Sequence, residues 1–371
     1  MIRVLHLADI HLGARLYHIP DEKKRDEIRS DLKKTFTDII TFCITPESRI
    51  DIVLICGNLF DSHVPGAELL DFVRQQFNRL LEKNILLFLV PGAYDSNIYS
   101  DSVYKHPYFL RTVRCITQAN FSLIQTVELK GEKINLYGMA YSHFTMDPAD
   151  VIQKVDKPGY HIALMNNSTT YGRPFLDIDK LKNTGFDYIA LGGEANYSAC
   201  ETESTKVVYP GMLEPVKSGA TDARRLCVFE CTDGRIKLYP LENKFNQKEY
   251  ILLSINLQTG NFMSEMEVAA FLEEKYTNYA HLLKLELTGK ISFLLNPDRL
   301  KQRLSHFFFH LEIDDQTEFD HRHYLSQLKD NGRIEALYIE KMNALLSTEE
   351  TDEAKKKILQ AMNIGLTLHE N

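Results

Sequence analysis

The chain has 371 residues, a formal net charge of −8 at pH 7, 44% hydrophobic and 25% charged residues, and six cysteines. Those values fit a globular protein with a large core and room for two domains. They exclude a small disulfide-stapled module and a protein that coats nucleic acid through bulk electrostatics, while leaving a local basic groove open. No window of eighteen uncharged apolar residues occurs, and the N-terminus reads straight into a strand. The expectation is a cytoplasmic protein with reduced thiols and no membrane association.

Ile2, Val4, Leu5 and Leu7 form the apolar run of a strand shielded on both faces. Asp9 and His11 leave its carboxyl end, where an open α/β sheet places its ligands. A carboxylate and an imidazole at that spacing suit Zn, Mn or Fe; a capping Asp beside a surface His fits the same residues. Residues 21–43 have helical spacing, with Ile28, Leu32, Phe36, Ile39, Ile40 and Phe42 as the apolar stripe. The cations Lys23, Lys24, Arg25, Arg29, Lys33 and Lys34 are interleaved with Asp21, Glu22, Asp26, Glu27 and Asp31, which reads as a solvated, ion-paired face.

A second buried strand, residues 51–56, breaks at Gly57 into GNLFD, and a helix is expected over 66–83. A third strand, residues 85–90, breaks at Pro91-Gly92 into PGAYD. Strand, helix, strand, helix, strand implies right-handed crossovers and a parallel sheet, so the exits at Asp9 and His11, at 57–61 and at 92–95 converge on one edge. Residues 96–114 read as an irregular, Tyr-rich excursion, followed by a hairpin of 122–128 and 133–138. Further strands are expected at 160–165, ending on Asn166, and at 186–191, 206–209, 225–231 and 235–239. Cys227 and Cys231 share a face of one of them and read as core. The expected organisation is one domain over 1–240, a small α+β domain over 245–330, and a helical segment over 331–371 that is either core or a docking surface for a partner helix.

The ordered motifs Asp9-Ile10-His11, GNLFD, PGAYD, FDYIALG (186–192) and YPGMLEP (209–215) resemble the calcineurin-like metallophosphoesterases. Within them, most of residues 1–240 resembles the SbcCD-type double-strand-break repair exonucleases. The resemblance implies an α/β fold, a two-sheet sandwich flanked by helices, with a small α+β capping domain and C-terminal helices. It also implies an SMC-like ATPase partner, a homodimer, DNA contact within a complex, and a pair of Mn or other divalent ions. Two adjacent dications require a bridging carboxylate and hard oxygen or imidazole donors.

Carried over residue by residue, Asp9 and His11 match that family's first motif. Asn58 stands where the bridging Asp belongs. Ala93 replaces the Asn of the Gly-Asn-His motif, Tyr94 its catalytic imidazole and general acid, and Asn166 the strand-end His. The Gly-His-x-His stretch reads Gly193-Glu194-Ala195. Losing such ligands removes two-metal chemistry, since even the loss of a supporting partner lowers affinity or activity by about 10 to 100 fold. The resemblance therefore implies a retained fold without catalysis: a structural or regulatory DNA-processing subunit. The alternative is an active exonuclease or phosphoesterase with a remodelled single-metal site of Asp9, His11, Asn58 and the rescue ligand Glu194. A third reading is a DNA-binding module without catalysis.

Asp61 and Asp95 read as carboxylates that cap backbone N–H groups at the strand ends. Tyr94 and Asn166 are expected to fill the vacated cavity, and His143 and His161 to be packed or surface imidazoles. Tyr99, Tyr104 and Tyr108 either stack on bases or pack their loop.

Overall fold

A computed structural model describes residues 1–141, 150, 152–167, 176–221, 225–320, 334–349 and 351–369; His143 lies outside them. Contacts divide the chain into two compact units, Met1–Tyr250 and Ile251–Asn371. The first opens with β1 (Ile2–Leu7), α1 (Glu22–Ile44), β2 (Ile52–Cys56), α2 (Ala67–Glu82), β3 (Leu86–Val90), α3 (Pro107–Arg111) and β4 (Arg114–Cys115). It continues with β5 (Ser122–Leu129), β6 (Glu132–Gly138), β7 (Tyr160–Asn166), α4 (Ile178–Lys182), β8 (Tyr188–Gly192), β9 (Ser198–Glu201), β10 (Lys206–Tyr209), β11 (Arg225–Thr232) and β12 (Arg235–Glu242).

Two six-stranded sheets result, in the orders β12-β11-β1-β2-β3-β4 and β5-β6-β7-β8-β10-β9. β1, β2, β3 and β4 pair in parallel, as do β6, β7, β8 and β10. The hairpin β11–β12 closes one side of the first sheet, with β11 antiparallel to β1. Alternation along each strand then divides the apolar residues between two layers. Ile2, Val4, Ile52, Leu54 and Phe88 of the first sheet meet Leu136, Ile162, Leu164, Tyr188 and Ala190 of the second in one buried cluster. The helices cover the remaining faces. α1 is capped by Asp21, whose carboxylate accepts from the N–H groups of Lys23 and Lys24, and the helix buries Ile28, Leu32, Phe36, Ile39 and Ile40. Phe42, expected in that stripe, is half-buried beside Phe245.

The ionic face of α1 is as its sequence suggests: Arg25 and Arg29 pair with Glu22, Arg29 with Asp26 and Lys34 with Asp38. Cys227 and Cys231 are fully buried, and Tyr188 Oη lies 3.2 Å from Cys227 Sγ. Residues 96–114 are less irregular than expected. A 3₁₀ turn at Val103–Lys105, α3 and β4 lie within them, because Ser102 and His106 cap N–H groups that a composition reading cannot assign. α4 and β9 were likewise not expected: each is too short to show a period.

The YPGMLEP stretch ties the end of this unit to α1 through Glu214, which is buried. Its carboxylate accepts from Thr35 Oγ1, from Gln247 N at 2.7 Å and from Lys248 N at 3.2 Å. The Lys248 ammonium in turn holds Glu27 at 2.8 Å and Asp31 at 2.7 Å. Burial pushes the Glu214 carboxyl from 4.5 up to about 7, against the donors around it and with the nearby Asp31 charge adding to the rise. Between those two pH values the folded chain holds a proton that the unfolded chain has released, so stability falls as pH rises through the window. The expected loss is about 1.4 kcal/mol per pH unit, about 3 kcal/mol in all. Urea midpoints measured across that range should lose this slope in Glu214→Gln; an unchanged slope refutes the assignment.

The second unit carries β13 (Glu249–Asn256), which begins at the end of the first, α5 (Glu265–Tyr276), β14 (Asn278–Ile291), α6 (Pro297–Leu304) and β15 (Phe308–Phe319). β13, β14 and β15 form one sheet, with β14 parallel to β15 around the α6 crossover. Leu283, Leu285, Leu287, Val268, Leu272 and Leu300 are among its buried core. β14 and β15 extend well beyond their apolar runs, because the outer residues pair with each other through the backbone. α7 (Ile334–Thr348) and α8 (Asp352–His369) follow; Ile339, Met362 and Leu366 pack with Leu294, so these two helices share a unit with the preceding sheet. No helix among the described residues is long and apolar enough to cross a membrane.

Candidate functional site

The carboxyl ends of β1, β2, β3, β7 and β8 meet at one place, and hydrogen bonds stitch the exits together. Asp9 N donates to Gly57 O at 3.1 Å, His11 N to Asn58 O at 2.8 Å, and Asn166 Nδ2 to Cys56 O at 3.0 Å. Close approach demands glycine: a Cβ on Gly192 would lie 1.7 Å from Cys56 O, and one on Gly92 2.3 Å from Asn58 Oδ1. Asp9, His11 and Asn58 all take left-handed backbone conformations, with φ of 51°, 53° and 53°. Such geometry costs about 1 to 3 kcal/mol per residue and clusters at functional sites.

Asp9 is buried, and both of its oxygens are occupied by protein donors. Oδ1 accepts from Asn58 Nδ2 at 2.6 Å, and Oδ2 accepts from Gly193 N at 2.6 Å. Asn58 Oδ1 accepts from Tyr94 N at 3.0 Å, so the amide is held by an acceptor on one side and a donor on the other; flipping it would set oxygen against carboxylate and NH₂ against N–H. Burial pushes the Asp9 carboxyl above its ordinary range, opposed by the nearby His11, the Asn58 amide and the Gly193 N–H.

His11 is fully buried. Its Nδ1 lies 2.8 Å from Asp61 Oδ1, and a carboxylate that can only accept places the proton on Nδ1. Its Nε2 is buried without a hydrogen-bond partner, 3.8 Å from Asp9 Oδ1. The Tyr94 ring stands edge-on to the imidazole at 4.8 Å, with Lys217 Nζ 4.6 Å from the Tyr94 centroid on a face of that ring.

Asp95 holds the frame. It is fully buried and accepts from Gly92 N at 2.7 Å, Phe60 N at 3.1 Å, Asn58 N at 3.2 Å and the Tyr104 hydroxyl at 2.5 Å. Burial drives its carboxyl upward, while Tyr104 and the backbone donors pull it back. Asp61 also accepts from Arg15 N at 3.2 Å.

A two-ion centre does not fit this donor set. Asp9 faces an amide NH₂ where a bridging carboxylate would stand, Ala93 supplies no ligand atom, and Asn166 gives its NH₂ to a backbone carbonyl, leaving only a neutral Oδ1 buried without a partner. Among the described residues no group of three His, Cys, Asp or Glu side chains is arranged to hold an ion. The rescue set of Asp9, His11 and Glu194 is therefore not assembled. Glu194 is half-buried and lines a separate groove with Ile178, Tyr197 and Tyr209, its carboxyl raised by burial and then by the Asp9 charge. Gly193 contributes its N–H, and Ala195 only its carbonyl, which accepts from Met212 N at 2.9 Å.

His161 is packed between Tyr137 Oη at 2.9 Å and Lys157 O at 2.9 Å. Of the two alternatives for the tyrosines, loop packing holds for Tyr104, which is buried on Asp95, and for Tyr108, whose hydroxyl donates to Asn78. Tyr99 alone of the three borders a cavity of about 590 Å³, with His11, Arg15, Tyr17, His63, Tyr94 and Lys217 among its other lining residues. Neither Arg15 nor Lys217 stands out in the sequence. The sign that could have flagged Lys217 is its place just after the YPGMLEP motif.

Comparison with known proteins places this geometry in a family. The profile of the calcineurin-like phosphoesterases matches residues 2–196, more than half of the chain. An uncharacterised metallophosphoesterase of Bacillus subtilis, YhaO, is 23% identical over 260 residues, covering 62% of this chain and 58% of that protein. The DNA double-strand break repair protein Mre11 of Aeropyrum pernix is 24% identical over 251 residues, 58% of this chain and 54% of that one. Mre11 of Methanosarcina mazei is 36% identical over 95 residues, 26% of this chain and 14% of that one. The matched part thus spans well under two thirds of each relative. With the profile running through all five strand exits that build the site, the chain belongs to the calcineurin-like phosphoesterases.

Proposed function

We propose that this chain is a non-catalytic member of the repair-nuclease branch of that family, a structural or regulatory subunit of a DNA-processing complex with an SMC-like ATPase. The observation that carries the reading is the Asp9–Asn58 contact at 2.6 Å, in which an amide NH₂ donates to the carboxylate that would otherwise hold an ion. A neutral donor that saturates this oxygen does two things at once. It removes the charge needed to bridge two dications, and it stabilises the buried Asp9 carboxylate by a hydrogen bond. The Tyr94 ring stands edge-on to His11 at 4.8 Å, at the position where the family's general-acid imidazole would be. The similarity to Mre11 proteins supports DNA repair as the setting.

The buried, unpartnered Nε2 of His11 favours one competing reading, a single divalent ion shared by His11 and Asp9. Elemental analysis after Mn²⁺ dialysis, combined with nuclease and phosphodiesterase assays, separates the two. The expected result is no retained ion and no turnover. Mn²⁺-dependent hydrolysis that disappears in Asp9→Ala would establish an active enzyme instead.

A further inference from the structure

We infer that the groove beside Glu194 binds a primary alkylammonium, with the Glu194 carboxylate taking the charged head and a wall of apolar and tyrosine side chains taking the stem. The groove has a volume of about 260 Å³, smaller than the pockets that hold drug-sized ligands, and it is separate from the His11 cavity. The inference goes beyond the reading above and does not depend on it.

Glu194 is half-buried, yet it makes no hydrogen bond or ion pair with any described residue. A carboxylate drawn partly out of water normally gains a donor or a counter-ion there. The charges that act on it are those of Asp9 and Lys217, and the repulsion from Asp9 outweighs the attraction of Lys217. Lys217 belongs to the lining of the His11 cavity, its Nζ 4.6 Å from the Tyr94 centroid. No Lys, Arg or His lines the groove, so positive charge is what this carboxylate lacks.

The rest of the lining suits a cation carried on an apolar stem. Leu176, Ile178 and Tyr209 belong to one apolar cluster, and Ser198 stands opposite Tyr209 across the β9–β10 pair. Tyr197 carries the Arg225 guanidinium 4.8 Å from its ring centroid, so its π face already takes one cation in this molecule. An ammonium offers three donors and no acceptor; the Glu194 carboxylate and the Ser198 hydroxyl supply oxygens, and methylene groups lie along the apolar wall. The groove is formed before any ligand arrives. Met212 N donates to Ala195 O at 2.9 Å and Asn196 Nδ2 to Gly219 O at 3.1 Å, while a Cβ on Gly211 would lie 2.9 Å from Tyr197 N. These contacts hold residues 195–197 in place, which lowers the ordering cost of binding.

Ligand-observed NMR titration of the full chain in EDTA tests this, with n-butylammonium, its neutral analogue 1-butanol, tetramethylammonium, putrescine and Nα-acetyl-lysine amide as probes. The expected result is saturable binding of n-butylammonium, with 1-butanol weaker by about tenfold or more and Glu194→Gln weakening the ammonium by about the same factor. Glu318→Gln, which removes an exposed carboxylate paired with Lys290, should change nothing. Tighter binding of putrescine than of the lysine amide assigns a free polyamine, and the reverse assigns a lysine side chain. Since Glu194 has no partner to lose, the urea midpoint of Glu194→Gln should equal or exceed that of wild type; a lowered midpoint overturns the premise. No saturable binding, binding indifferent to Glu194→Gln, or tighter binding of tetramethylammonium overturns the site and leaves the metal-free reading intact. Stoichiometric Mn²⁺ that displaces n-butylammonium overturns both, because Glu194 then serves a metal ion.

Discussion

Asn58→Asp is expected to destabilise the fold by about 3 to 4 kcal/mol at pH 8 in EDTA, although the side chains are nearly identical in shape. The wild-type amide donates to Asp9 Oδ1 at 2.6 Å in a buried site, so the substitution exchanges a charge-assisted hydrogen bond for two carboxylates in contact. Two such groups cannot both ionise, and one is driven to take up a proton. A carboxyl whose folded pKa lies above its unfolded value stabilises at low pH and loses that contribution as pH rises, so the deficit should shrink on acidification. A divalent cation is the other way to neutralise the pair. Saturating Mn²⁺ should restore part of the lost stability in Asn58→Asp and leave wild type unmoved, through preferential binding to the folded state. Thermal unfolding of both proteins across pH, with and without Mn²⁺, reads all of this. Equal stability of the two at pH 8 in EDTA would remove the physical basis for regarding Asn58 as the ion's replacement.

The second large effect belongs to Asp95. Asp95→Ala should cost about 4 kcal/mol or more, a major share of the 5 to 15 kcal/mol that hold a typical domain together. Three backbone N–H groups, from Gly92, Asn58 and Phe60, and the Tyr104 hydroxyl all converge on this carboxylate, and the alanine variant strands each of them in the interior. Tyr104→Phe removes one donor and leaves the backbone set satisfied, so its cost should be about 1.5 to 2 kcal/mol. Urea unfolding should therefore rank Asp95→Ala well below Tyr104→Phe, with Asp95→Asn between them because an amide offers one acceptor oxygen instead of two. If Asp95→Ala unfolds like wild type, the exits of β2 and β3 are held by something other than this carboxylate.

Much of the frame could be read from the chain itself. The runs IVLIC and LLFLV are apolar without alternation, and IRVLHL is so apart from Arg3 and His6, as parallel strands covered on both faces must be; each breaks at the residues that form the site. The identities at Asn58, Ala93, Tyr94 and Asn166 likewise announced an altered donor set before any geometry was known. Local patterns failed where an element's reason for existing lies elsewhere. β9 forms because β10 presents an open edge, and β14 and β15 run long because each is the other's partner. For Tyr104 and Tyr108 the sequence left base stacking and loop packing open, and the short turn and helix of their loop decide for packing by aiming Tyr104 at a buried carboxylate.

The sequence by itself determined the buried parallel strands and the convergence of their exits, because periodicity and side-chain chemistry are local properties. The two-sheet sandwich and the altered positions at Asn58, Ala93, Tyr94 and Asn166 came from the family resemblance. Only the tertiary structure decided what occupies their place: that Asn58 and Gly193 donate to Asp9, that Tyr94 lies between His11 and Lys217, and that Arg15 shares a cavity with Lys217. Those relations join residues far apart in the chain, and distance through space sets an electrostatic or hydrogen-bonded interaction, which no spacing along the sequence records.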